Sequence, residues 1–385
     1  MTSAPSPATL PDWGGLLDDR FSETPVLTPP DRASVVAAGD RLREVIPADA
    51  YDNHAEAFRI AHDWREAHLV PMHRMLVGLS ARARSVAPDA IVAGRIKRLS
   101  SVRKKLRRSR INLWDIQDIA GVRAIVPDMD AVQEIVRRYE SGQSRHRWAK
   151  SDNHIAEPKA SGYRSHHLMM RFVGDGELAA LNRRSVEIQV RTRLQHSWAT
   201  ALEAVGLMRG EDLKAGEGNA DWLRFFALIS GQFAEEERQP MVPGLPEERA
   251  HRLEEIRHIE DQLGAIATLE SYNAAIRRIG TVHGARGGRF TIRFDRHAQS
   301  VTVTPFYAGR MGDGAEAEGQ DVVVVEVDRI DALAEAYPNY FADVTALSAH
   351  LRKMIQPEEA AQEGIRAPGN HKLSWLHDYL NRLRK

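Results

Sequence analysis

The chain has 385 residues, with 53 Lys and Arg against 53 Asp and Glu, and it contains no cysteine. Its length exceeds one typical domain and suggests two, and the balanced charge excludes a global field that would recruit nucleic acid or a membrane. The lack of cysteine excludes disulfides, thiolate catalysis and Cys-based zinc sites, and no apolar run approaches the ~20 residues needed to cross a bilayer. The expectation is a cytoplasmic protein with no membrane partner.

Residues 1–35 are rich in Pro, Ser, Thr and Ala, and 1–48 read as a mobile N-terminal arm. Phe58, Ile60, Ala61 and Trp64, then Leu69, Met72, Met75, Leu76 and Leu79, recur at helical spacing, with Pro71 in a first turn. Residues 94–110 hold the sharpest cluster of positive charge. Leu99, Val102 and Leu106 form its apolar stripe; Lys97, Ser101, Lys105 and Arg108 fall on another face, with Arg95 at the entry. Like charges at i,i+4 repel, so an anion nearby would relieve this run.

Residues 119–126 read as a strand, and Pro127 and Asp128 end it and cap a helix to about Tyr139. A polar loop of about twenty residues, uncommon without a function, leads to Gly162 and Tyr163. Strands follow at 166–173 and 184–191. In the second, Val186, Ile188 and Val190 alternate with Glu187, Gln189 and Arg191, so one face is apolar and the other carries a carboxylate, an amide and a guanidinium. Leu194, Trp198 and Leu202, and then Trp222 to Phe233, mark two helices.

Pro240, Pro243 and Pro246 mark a boundary. Beyond it come a charged helix at 247–268 and a shorter one at 270–279. β-type runs follow at 289–294, 300–304 and 321–327, then a helix at 329–336, a turn at 337–340 and a helix to 354. Together they predict a small α+β C-terminal domain over 247–356, regulatory or oligomerising. Residues 357–385 read as a linker and an amphipathic helix through Leu373, Leu376, Leu380 and Leu383.

By residue type, Asp118 and Glu187 suit a metal ion that carries phosphates, and Arg95, Lys97, Lys105 and Arg191 suit phosphate clamps. Tyr163, beside Gly162, suits a ring platform for a base. No Gly-x-x-x-x-Gly-Lys-Ser/Thr loop occurs, which excludes the P-loop solution.

Four stretches recur in a known order: Gly-Arg-x-Lys-x₃-Ser-x₃-Lys (94–105), Asp-Ile-Ala-Gly-Val-Arg (118–123), Ile-x-x-Pro-Lys-x-x-Gly-Tyr-x-Ser-x-His (155–167) and Glu-Ile-Gln-Val-Arg-Thr (187–192). With them, residues 91–203 resemble the synthetase domain of the RelA/SpoT family of alarmone pyrophosphokinases, in a short form without the hydrolase domain. The resemblance implies an α+β fold, a mixed nucleotidyltransferase-like sheet flanked by helices, spanning 49–240. It implies transfer of pyrophosphate from ATP to the 3′-hydroxyl of GDP or GTP with Mg²⁺ as cofactor. By position, Arg95, Lys97, Ser101, Lys105 and Arg123 would bind ATP, and Asp118 and Glu187 would be catalytic and hold the metal. Lys159, Tyr163, His167, Gln189 and Arg191 would serve the acceptor. The chain departs from the family pattern at Asn153 and His154, where Asp-Tyr is usual, and at Glu203 and Ala204, beyond which Arg209 or Lys214 would have to compensate. Alternatives are a toxin-type member that modifies the tRNA 3′-CCA end or uses adenine nucleotides, restrained by its own C-terminal domain, and an inactive nucleotide- or RNA-binding module. A second copy of the chain and a protein trigger at the C-terminal domain are further partners compatible with the sequence.

Overall fold

A computed structural model describes residues 28–46, 52–142, 144–275, 277–280, 288–295, 300–306, 320–327, 333, 336, 337 and 344–355. The elements in chain order are α1 (Arg32–Arg43), α2 (Ala55–Glu66), α3 (Leu69–Val86), β1 (Ile91–Ile96), α4 (Leu99–Arg108), β2 (Ala120–Val126) and α5 (Met129–Glu140). They continue with β3 (Arg147–Asn153), β4 (His166–Arg171), β5 (Ser185–Thr192), α6 (Arg193–Arg209), α7 (Ala220–Glu236), α8 (Arg249–Leu263) and α9 (Ala265–Ala275). The last are β6 (Arg277–Gly280), β7 (Gly288–Asp295), β8 (Ser300–Pro305), β9 (Gln320–Val327) and α10 (Thr345–Ile355). No helix among the described residues is long and apolar enough to cross a membrane.

The described strands form one nine-stranded sheet, ordered β3-β4-β5-β2-β1-β9-β7-β8-β6. It is mixed: β2 and β5 run parallel, as do β6 and β8, and the other neighbours are antiparallel. The α+β expectation for the fold is met. A parallel pair needs a crossover, and α5 lies on the one from β2 to β5. The Asp128 side chain caps α5 by accepting from Ala131 N, and a reciprocal box between Thr192 and Gln195 starts α6 directly from the end of β5.

Strand alternation then separates core from chemistry. Val92 and Ile96 of β1, Val122, Ala124 and Val126 of β2, and Val186, Ile188 and Val190 of β5 pack under α3 and α5. The opposite face of the same strands carries Arg95, Gly121, Arg123, Glu187, Gln189 and Arg191. A second core binds α6 to α10 and includes Tyr163, and a third joins β7, β8 and β9 to Ile91, Ala93, Ala336 and Tyr337.

Several expectations change. Residues 32–43 are a helix and not part of an arm: Asp31 caps α1, and Val35, Ala38 and Leu42 are buried in a cluster with Leu99, Val102 and Leu106 of α4. The basic run at 94–110 is not one helix, because Gly94, Arg95 and Ile96 complete β1 and α4 begins at Leu99. The loop before Gly162 contains β3, an exposed edge strand whose polar residues show no apolar alternation. The strands beyond Pro246 do not form a separate module: β9 pairs with β1, Arg95 opposite Val325. The charged helix breaks at Gly264, whose left-handed φ of 54° caps α8. The expected helix at 371–385 lies outside the described residues, as does most of the one at 329–336.

The β1–β9 seam is pinned by a buried carboxylate. Glu326 accepts from Arg289 Nε at 3.0 Å and is paired with His73 of α3. Burial alone would raise its pKa, but His73 and Arg289 outweigh burial and lower it. Arg289→Met leaves this buried charge half-compensated and is expected to cost about 3 kcal/mol in chemical denaturation; a cost near zero would mean that the pair adds nothing to the seam.

Acid should weaken the fold through two histidines. Burial pushes the His68 imidazole down to about 3 and His62 to about 4, and His68 Nδ1 donates to Trp64 O at 2.8 Å. Both rings are neutral in the fold and gain a proton near pH 6.5 when unfolded. Their stability contribution is therefore fully present above about pH 6.5 and is lost as pH falls toward 4 and then 3. Urea midpoints should fall across that window, and His68→Gln should flatten the fall.

Candidate active site

The register of the sheet lays the polar residues in two rows. Arg95 of β1 faces Gly121 of β2, which faces Glu187 of β5. In the next row Ala93 faces Arg123, Arg123 faces Gln189, and Gln189 faces His167 of β4. Gly121 leaves the floor between Arg95 and Glu187 without a side chain; glycine inside a strand commonly marks such a close approach. Arg95, Lys97, Asp118, Arg123, Glu187 and Gln189 line one cleft, and Tyr337 closes it.

Asp118 sits just before β2. Its Oδ2 accepts from Lys97 Nζ and its Oδ1 from Lys105 Nζ, both at 2.8 Å. Burial raises the Asp118 carboxyl, yet the two ammonium groups outweigh it and hold the group well below the usual carboxylate range. Glu187 is held from the other side. His167 Nδ1 lies 2.9 Å from its Oε1, and Gln189 Nε2 donates to its Oε2 at 2.6 Å. Burial raises Glu187, but His167 outweighs it and brings the carboxyl down to about 2. Both carboxylates are thus anionic at neutral pH, as metal binding requires.

The chain of contacts continues outward, with the Tyr163 hydroxyl 2.9 Å from His167 Nε2. Burial opposes the imidazolium, yet Tyr163 and Glu187 outweigh it and raise the His167 pKa well above its ordinary value. His167 thus bridges the Tyr163 hydroxyl and the Glu187 carboxylate. Tyr163 is only 5% exposed, and the Lys159 and Lys214 ammonium groups each lie 5.5 Å from its ring centroid. The open ring face expected for base stacking is covered in this arrangement. Gly162 beside it has φ of 88°, and a Cβ there would meet Ser230 Cβ at 2.7 Å, so the loop can approach α7 only with glycine.

Arg191 is buried and donates to His196 Nδ1 at 2.5 Å, a partner on α6 that the strand pattern gave no means of finding. Ser101 lies one turn before Lys105 on α4, half-buried, and is not among the residues lining the cleft. Glu203, at a family departure, accepts from Lys214 Nζ at 2.9 Å. Burial raises its pKa, and Lys214, Arg95 and Arg123 outweigh that and lower it. Lys214 thus takes a position beside both Glu203 and Tyr163. Arg209 pairs instead with Glu211.

No group of three or more metal-ligating side chains occurs among the described residues. Two carboxylates on one cleft still suit Mg²⁺, which keeps several waters and takes its remaining ligands from substrate phosphates. Arg123 Nε and Arg191 Nε are buried without a hydrogen-bond partner, a feature they share with Arg184 Nε and Arg252 Nε.

The fold and the site define a class, mixed-sheet proteins that gather paired carboxylates and a surplus of cations on the polar face of three adjacent strands. Residues 94–206 match the family profile described as a region found in RelA / SpoT proteins. The chain is 33% identical over 151 residues to GTP pyrophosphokinase YjbM of Bacillus subtilis (strain 168), a match that covers 35% of this chain and 69% of that protein. It therefore belongs to the RelA/SpoT family. It is 29% identical over 155 residues to GTP pyrophosphokinase of Escherichia coli (strain K12), covering 38% of this chain and 19% of that one. Among solved structures it is similar to small alarmone synthetase 1 from Bacillus subtilis bound to its product pppGpp, at 27% identity and a TM-score of 0.37, over 45% of this chain and 92% of that one.

Proposed function

We propose that the chain is a Mg²⁺-dependent pyrophosphokinase that transfers pyrophosphate from ATP to the 3′-hydroxyl of GDP or GTP. The observation that carries this reading is the meeting of Asp118 and Glu187 on one cleft among Arg95, Lys97 and Arg123. In the reaction the acceptor 3′-oxygen attacks the β-phosphorus of ATP. The bond from that phosphorus to the α,β-bridging oxygen breaks, and AMP leaves with the electron pair. The hydroxyl proton passes to the Glu187 carboxylate, which His167 and Gln189 hold in place. Such transfer asks mainly for alignment and charge neutralisation, so a weak base suffices. Arg95 and Arg123 grip the donor, and Lys97 and Lys105 turn from Asp118 to its phosphates. Asp118 would hold the Mg²⁺ that arrives with ATP, whose charge neutralises the phosphates; Glu187, if it shared that ion instead, would leave the hydroxyl proton to solvent. We place Lys159, Tyr163 and Arg191 on the acceptor side, where the Lys159 and Lys214 ammonium groups that cover the Tyr163 ring would move to the acceptor phosphates and uncover it.

A second reading is favoured by Tyr337. The cleft it closes has about 20 Å³ of free space, room for a water and not for a nucleotide. The Tyr337 hydroxyl donates to Gly94 O at 2.5 Å, and Arg123 donates to Ala336 O at 3.2 Å. On this reading the enzyme is held off by its own C-terminal segment, as in a toxin-type member whose acceptor is the tRNA 3′ end or an adenine nucleotide. Purified chain incubated with labelled ATP and GDP, GTP, AMP or deacylated tRNA separates the acceptors. Label on none of them, including with Tyr337 replaced, would refute both readings.

A further inference from the structure

The residues after α6 form a built turn that places Lys214 between the two halves of the site. The Asp212 side chain accepts from Ala215 N at 3.3 Å, and Leu213 is buried in the core that binds α6 to α10. The outer face of α4 ties the turn down: Lys104 pairs with Asp212, and Arg108 donates to Glu217 Oε1 at 2.7 Å. Lys105, the next residue of α4, reaches the other way to Asp118. Lys214 then donates to Glu203 at 2.9 Å and stands 5.5 Å from the Tyr163 ring centroid. We infer that Lys214 reads the phosphate chain of the acceptor, favouring nucleoside 5′-diphosphates and triphosphates over a nucleoside that carries a single phosphate, as an RNA 3′ end does. The inference rests on the acceptor side proposed above and names the substrate class of that site.

Displacement sets the selection. A base stacks on Tyr163 only once the Lys159 and Lys214 ammonium groups leave its ring. The ring is buried, so each displaced cation needs a counter-charge close by. The two lysines come from different elements, the loop before Gly162 and the turn after α6, and a chain of phosphates serves both where a single phosphate serves one. Lysine suits the task, because its ammonium is a point charge on a flexible stem and binds phosphate without a fixed geometry.

The contact that Lys214 gives up is one the site can spare. Its side chain is 44% exposed and that of Glu203 28%, so water screens part of the pair. Burial raises the Glu203 carboxyl, and Arg95 and Arg123 oppose burial together with Lys214, so Glu203 stays compensated when Lys214 swings away. A phosphodiester, with one charge already drawn to Lys159, offers Lys214 little reason to leave Glu203.

Calorimetry on the full chain with GDP and GMP tests the assignment. GDP is expected to bind at least tenfold more tightly than GMP. Lys214→Met should narrow that ratio at least fivefold, with GMP affinity unchanged within twofold and thermal melting unaltered. Lys214→Arg, which keeps the charge, should hold the ratio near that of the parent. No binding of GDP, equal affinities for GDP and GMP in the parent, equal losses for both in Lys214→Met, or a ratio lost as fully in Lys214→Arg would overturn the inference. Binding and turnover separate it from the proposed activity. A chain that binds in the expected pattern yet moves no label from ATP to GDP loses the activity and keeps this assignment; one that moves label to GDP and GMP alike keeps the activity and loses the assignment.

Discussion

Asp118→Asn and Glu187→Gln are each expected to lower pyrophosphate transfer by at least about 10³-fold, measured as label moved from ATP in a single turnover. The two variants lose different things. Asp118 uses both oxygens, one for each lysine. Asparagine offers one acceptor and turns an amide donor toward the other ammonium, so charge and hydrogen bonding fail together. Glu187→Gln keeps an acceptor but loses the anion that orients His167 and takes the hydroxyl proton. Neither change should unfold the chain, because both side chains are part-exposed, 21% and 17%. The double variant should be little worse than either single one, since residues that act as a unit are not additive. Activity within tenfold of the parent in either single variant would remove the basis for assigning them the chemistry.

How much of this was legible in the sequence depends on the element. β5 announced both its faces, because alternation is a local property and Val186, Ile188 and Val190 are all fully buried. The four family stretches likewise located Arg95, Lys97, Asp118, Arg123, Glu187 and Gln189, and all six line one cleft. What stayed hidden were features set by distant pairing. Glu326 looks like a stray charge in a valine run until β9 lies against β1 and brings it to His73 of α3. β3 carries no periodic signal because most of its residues face solvent, and its place is fixed by β4. α1 was masked by the composition around it, although Val35, Ala38 and Leu42 keep helical spacing. Lys214, one of the two cations expected to compensate near Glu203, does pair with it, whereas the contact of Arg191 with His196 depends on how β5 turns into α6, which the strand pattern does not state.

Tyr337→Ala is expected to raise the affinity of the chain for ATP by about 10- to 100-fold, read by calorimetry with a non-hydrolysable analogue. Tyr337 is 3% exposed, its hydroxyl donates to Gly94 O, and the Arg123 guanidinium lies 5.8 Å from its ring centroid. If ATP binds only when this segment leaves, the apparent dissociation constant is the intrinsic one divided by the open fraction. Removing a buried aromatic that also makes a hydrogen bond weakens the closed state by about 3 kcal/mol, more than enough for the expected gain before opening saturates. Tyr337→Phe should fall between, because the ring still fills the cleft while the bond to Gly94 is lost. The sign of the change is what discriminates. A ring beside Arg95 and Arg123 is also what a nucleotide site uses to stack a base, and in that case Tyr337→Ala would weaken ATP binding rather than strengthen it. A loss of affinity with the melting temperature preserved would therefore make Tyr337 a part of the donor site, and the restraint by the C-terminal segment would have to be abandoned.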